Sequence, residues 1–156
     1  MENIPEKDLI QKTFLLRKLD LPPKVKLTKR SLLRWLAFSL GLISEQESRT
    51  TVLNVLDSLF YYQFSKQVTP STKDLHSYLK ENNVICSEKL VRYHLSRLID
   101  LGLIKRKKRR YVFTSSPMAE PFDLEAAFHH HVGKEINNTL GDVAKVVQKL
   151  SQQYKE

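Results

Sequence analysis

Six consecutive basic residues, Lys105 to Arg110, stand between the apolar pair Leu103-Ile104 and the alternating run Tyr111-Val112-Phe113. Like charges in a row repel and are common in disordered tails, whereas the residues on both sides of this run favour burial. The two demands are reconciled if the run forms the tip of a β-hairpin. "LIK" then supplies one strand and Tyr111 to Thr114 the other, with the apolar ends held to a core. A tight hairpin turn needs positive φ, which Gly, Asn or Asp normally supply. None occurs in the run, which predicts a hairpin that is short, distorted or mobile without its partner.

The rest of the chain reads as helical, with only four glycines in 156 residues to interrupt it. Near the start, "PEKD" followed by Leu9, Ile10, Phe14 and Leu16 predicts either a helix ended by Pro22-Pro23 or an arm that orders on a partner. Thr28 is placed to cap a helix reaching about residue 43. Its apolar residues, Leu32, Leu33, Leu36, Ala37 and Leu40 with Trp35, Phe38 and Leu42, surround it almost completely, so it is expected to be buried. Ser44 and Glu47 read as a capping box for a helix over 45–65, with Val52, Leu56, Leu59, Phe60 and Phe64 near one face. Ser71 opens a short helix carrying Leu75, Tyr78 and Leu79. Ser87 opens another, with Val91, Leu95, Leu98 and Ile99 inward, and Gly102 stops it.

Charge is unevenly placed. The net charge is +9. Residues 67–116 hold eleven basic and four acidic side chains, whereas residues 117–156 hold four and six. A localised positive patch points to a polyanion, above all nucleic acid.

The order helix, short helix, helix, glycine, basic hairpin resembles a winged helix-turn-helix domain. The likeness is most specific in "VRYHLSRLIDLGLIKRKKRRYVFT", where Val91, His94, Leu95, Leu98, Gly102, Leu103 and Ile104 match the recognition helix and wing of ArsR-type and related archaeal and bacterial transcriptional regulators. It covers about residues 45–116. The resemblance implies a mainly α fold with a small β-hairpin wing, and sequence-specific binding of double-stranded DNA by a homodimeric transcriptional regulator. Arg92 and Tyr93 would face base edges, Arg92 as a bidentate donor to guanine. Ser87, Lys89 and Arg97 would hold phosphates, Ser96 shares their face, and Lys105, Lys107, Lys108, Arg109 and Arg110 would follow the backbone or enter a minor groove. His94 is expected at the edge of the core.

The C-terminal stretch carries a second pattern. Ile136, Leu140, Val143, Val147, Leu150 and Tyr154 recur at alternating spacings of four and three, a heptad seam, which Phe128 and Val132 extend backwards. A long, narrow seam is expected to pair with a second copy of the chain. Three parts follow: an arm and apolar helix over 1–43, a winged-helix unit over 44–116, and a dimerisation helix over 117–156.

The same residues exclude other chemistries. His129, His130 and His131 would point about 100° apart on a helix, so the three do not converge on one ion. The single cysteine, Cys86, makes neither a disulfide nor a zinc site. There is no phosphate-binding glycine loop, triad signature or paired-acid motif, so neither an enzyme nor a cofactor is expected. The acidic N-terminus is unlike a signal peptide, and the longest apolar stretch is about half of what spans a bilayer. A cytoplasmic protein, partnered with DNA and itself rather than a membrane, is the expectation. RNA or non-specific nucleic-acid binding uses the same charge, and a winged-helix interaction module in a larger assembly uses the same fold.

Overall fold

The computed structural model describes residues 5–46 and 50–155. The chain is mainly helical, with one two-stranded antiparallel hairpin. It divides into two compact units, Met1–Leu53 and Asn54–Glu156. Among the described residues, no helix is long and apolar enough to cross a membrane.

In the first unit, helix α1 spans Lys29–Ser39, and the Thr28 hydroxyl accepts from the Ser31 backbone N–H at 3.1 Å. Of the two alternatives for the segment before Pro22, the helix is not formed. A single 3₁₀ turn at Glu6–Leu9 gives way to an extended segment, and Leu9, Ile10 and Leu16 are exposed. Arg17 explains the change. Its backbone N–H donates to Ser39 O (2.8 Å), and the Ser39 hydroxyl donates back to Arg17 O (3.0 Å). Its guanidinium donates to Phe38 O (2.7 Å) and Ile43 O (3.2 Å) and lies over the Phe38 ring. The last carbonyls of a helix lack intrahelical partners, and here the arm supplies one to α1. Trp35 Nε1 adds a bond to Asp20 O at 2.7 Å. Leu33 and Ala37 are buried while Leu32 is exposed, so α1 is covered on one side rather than all round.

Helix α2, Thr51–Phe60, starts later than the sequence suggests, and Glu47 of the expected capping box lies outside the described residues. In the second unit it runs into a π-helical turn, Tyr61–Lys66, closed by Gln67 at φ 59°. Helix α3, Thr72–Glu81, opens on a complete capping box: Ser71 Oγ accepts from Asp74 N–H (3.2 Å) and Asp74 Oδ2 accepts from Ser71 N–H (2.9 Å). Helix α4, Glu88–Leu101, starts at Ser87, whose hydroxyl accepts from Leu90 N–H, and packs on α3. Val91, Leu95 and Leu98 are fully buried, His94 is buried, and Ile99 is half-buried.

Gly102 ends α4 at φ 89°. Its N–H reaches Ile99 O, and Leu103 N–H reaches Leu98 O, the two bonds of a Schellman motif. A Cβ at Gly102 would also sit 3.1 Å from the His131 carbonyl oxygen, so both conformation and space require glycine here. Strands β1 (Ile104–Lys107) and β2 (Arg110–Phe113) follow. The chain then forms α5 (Leu124–Phe128), a π-helical turn over His129–Gly133, and α6 (Lys134–Gln153). The core of this unit combines Leu56, Leu59, Leu75, Leu79 and the α4 stripe with Ile104, Tyr111, Phe113, Ala127 and Val132.

Candidate nucleic-acid interface

The hairpin is regular. Ile104 pairs with Phe113, Lys105 with Val112, Arg106 with Tyr111 and Lys107 with Arg110, leaving Lys108 and Arg109 as a two-residue turn. Their φ angles are 52° and 64°, so both central residues take the positive φ of a type I′ turn. The hairpin is short, as one of the expectations had it, and it is not distorted: Lys and Arg occupy positions usually given to Asn and Gly. Left-handed backbone costs a non-glycine residue roughly 1–2 kcal/mol, and the anchoring of both strands holds it there. Tyr111 N–H donates to Pro70 O (2.9 Å), Phe113 N–H to Gln63 Oε1 (2.8 Å) and the Thr114 hydroxyl to Gly102 O (2.8 Å).

Alternation splits the basic run between two faces. Lys105, Lys107 and Arg110 share a face with Val112. Arg106 shares the other with Tyr111, and its guanidinium lies 5.9 Å from that ring's centroid. The sequence pattern does not single out Arg106 as a site residue; strand alternation is the signal that separates it from its neighbours.

Arg110 has an internal role instead of a free one. Its guanidinium donates to Thr69 O at 2.7 Å and pairs with Asp74 Oδ2 at 3.6 Å, tying the hairpin to the start of α3. Asp74 is held below its ordinary value, first by the Ser71 backbone N–H; burial, the next largest effect, opposes this, and the Ser71 side chain and the positive charges of Arg110 and Lys66 add to the lowering. The same carboxylate therefore caps α3 and receives the hairpin.

On α4, Lys89, Arg92, Tyr93 and Ser96 are exposed and Arg97 is half-buried. Ser87 is exposed too, and its hydroxyl keeps its own proton to donate while accepting from Leu90. Arg92 forms an i,i+4 pair with Glu88 at 3.4 Å. Such an exposed pair is worth about 0.3–0.5 kcal/mol, small beside the roughly 1–3 kcal/mol of a good bidentate contact to a base. The Arg97 guanidinium lies 5.7 Å from the centroid of the Tyr93 ring, which positions both side chains on this face.

The C-terminal pattern divides at the π turn. Val132 is buried in its own unit, and His131 Nε2 is 2.7 Å from Ser115 O. Val132 is thus removed from the expected seam, and Phe128 and Ile136 are half-buried. A π turn uses i→i+5 bonds and shifts the phase of everything beyond it, which is why a spacing count carried across it fails. Past the turn, Leu140, Val143, Val147, Leu150 and Tyr154 are all at least 48% exposed, an apolar face that no other described residue covers. Among the described residues, no group of three His, Cys, Asp or Glu side chains could hold a metal ion. Compared with family models, curated proteins and solved structures, the chain shows no significant match.

Proposed function

We propose that this chain binds double-stranded DNA as a homodimer, through a winged helix-turn-helix unit in which α4 is the recognition helix and the β1–β2 hairpin is the wing, and that it regulates transcription. The observation that carries the reading is the turn. Two adjacent basic side chains stand exposed at a hairpin tip in a conformation that Asn-Gly would adopt without strain. Local strain persists where function requires the residues that cause it. What Lys108 and Arg109 add over Asn-Gly is two positive charges at the most projecting point of the hairpin.

The exposed face of α4 supports the same reading. Arg92 and Tyr93 read bases, Arg92 exchanging Glu88 for a guanine edge. Ser87, Lys89, Ser96 and Arg97 position the helix on phosphates. Lys107, Lys108 and Arg109 follow the backbone beyond the groove. The bare face of α6 supports pairing with a second copy, which would favour two half-sites about 34–36 Å apart or a multiple of that.

Fluorescence anisotropy with a labelled duplex library across a salt series tests the proposal. Expected are a steep salt dependence, selection of a two-fold sequence, and weak competition by random duplex and by RNA. Equal competition by RNA would reassign the charge to general nucleic-acid binding. Negligible duplex affinity at moderate salt would leave a protein-interaction module.

A further inference from the structure

We infer that a groove beside the hairpin binds a small organic anion with an apolar body. The groove has a volume of about 580 Å³, inside the roughly 300–1,000 Å³ range of small-molecule sites. Its floor is apolar, formed by Val68, Val112, Phe113 and Phe122, and Lys105 and Lys107 stand in its lining. No acidic side chain lines it among the described residues.

Two observations make this more than a surface depression. The first is apolar exposure gathered in one place: Phe122 is 66% exposed and Val68 44%, and Phe64, itself partly exposed, meets Phe122 ring to ring at 6.0 Å. Large apolar groups collected in water are characteristic of an interaction site. The second is the placement of charge. Strand alternation puts Lys105 and Lys107 on the Val112 face, beside the groove, whereas Lys108 and Arg109 are at the tip. A neutral apolar ligand would partly desolvate two ammonium groups without an ion partner, and a cation would be repelled. A carboxylate or sulfonate on an aromatic or aliphatic body satisfies both parts, its charge between the lysines and its body against Phe122 and Val112. The Gln63 side-chain oxygen already accepts from Phe113 N–H, and its amide N–H groups are further donors toward the ligand.

Binding in the groove is independent of nucleic acid and is tested without it. The intact chain is titrated with 8-anilinonaphthalene-1-sulfonate and with its uncharged parent, N-phenyl-1-naphthylamine, following fluorescence. The sulfonate is expected to saturate one site per chain and to bind about tenfold or more tighter than the neutral parent, the size of a charge-assisted contact. Lys105→Gln with Lys107→Gln should bring the sulfonate down to the neutral parent's affinity, and Phe122→Ser should weaken both probes. All three side chains are exposed, so circular dichroism should show the fold unchanged. Equal affinity for the two probes in the unsubstituted chain overturns the inference. So does sulfonate binding that survives both sets of substitutions, which would place the probe elsewhere, the bare face of α6 first.

Discussion

The hairpin and helix α6 each present a surface that the chain itself does not complete, in opposite ways. In the hairpin, Ile104, Tyr111 and Phe113 are buried, and bonds to Gln63, Pro70 and Thr69 anchor β2 on the side away from β1. Its order is internal, and apart from Arg110, which pairs with Asp74, its charge faces solvent. In α6 the backbone ladder is satisfied by the helix itself, but no residue from 134 to 153 is buried. Its order is local, and its apolar stripe is uncompensated. A partner for the hairpin stabilises the fold only through mass action, by neutralising charge on an already anchored element, whereas a partner for α6 buries apolar area that the chain leaves in water.

The largest expected effect tests the first half of this contrast. Replacing Lys105, Lys107, Lys108 and Arg109 by Gln should leave the thermal melt nearly unchanged. It should lower the slope of log affinity against log salt by about 0.9 for each phosphate that is no longer neutralised. An unchanged slope would take the hairpin out of the interface. Next comes α6. Val147→Asp places a charge in the exposed stripe and should give a monomer by size exclusion with light scattering. It should also reduce affinity for paired half-sites by on the order of a hundredfold, the gain of a tethered second site. A Val147→Asp chain that is still dimeric would move the interface elsewhere. Removing residues 123–156 would be a poorer test, because Ala127 and Val132 belong to the core.

Arg92→Ala should cost about 1–3 kcal/mol and relax preference at a single position per half-site. Uniform weakening over all sequences would make Arg92 a phosphate clamp. A smaller effect has opposite signs in two assays. Lys108→Asn with Arg109→Gly should raise unfolding stability by roughly 1–2 kcal/mol by relieving the turn, while lowering the salt slope. A melt that does not rise would show that the turn carries little strain. The smallest effect concerns Asp74. Because its carboxyl is held below the ordinary value near 3.8, its contribution to stability is fully present above that value and is lost as the pH falls through the lowered one. Asp74→Asn should flatten the acid limb of the stability curve, read by denaturant titration at a series of pH values.

Where cause and effect lie close together in the chain, the fold is legible in the sequence. The Ser87 cap, the stripe of α4 and the Gly102 stop are all local, and each appears in the structure. The hairpin is located by its alternation, while its turn is not, since steric preference argues against Lys108-Arg109 and only the anchored strands override it. Helix and arm both stay open in the sequence before Pro22, and where the arm docks is not legible because Arg17 exchanges bonds with Ser39, a partner 22 residues away. Arg110 reads as one more free cation in its run because Thr69, 41 residues earlier, gives no sign of accepting its bond. The Val112–Phe122 groove leaves no trace in spacing at all.

The π turn at His129–Gly133 has a geometric consequence. Each residue turns an α-helix by about 100°, so a one-residue insertion acts as a dial for the direction in which the α6 stripe faces. Lengthening or shortening this turn would rotate the stripe around the helix axis without altering a single residue in it. Two copies joined along α6 would then present their hairpins at a different mutual angle. In such a pair the spacing between the two hairpin tips would be set by a five-residue segment outside both the hairpin and the stripe.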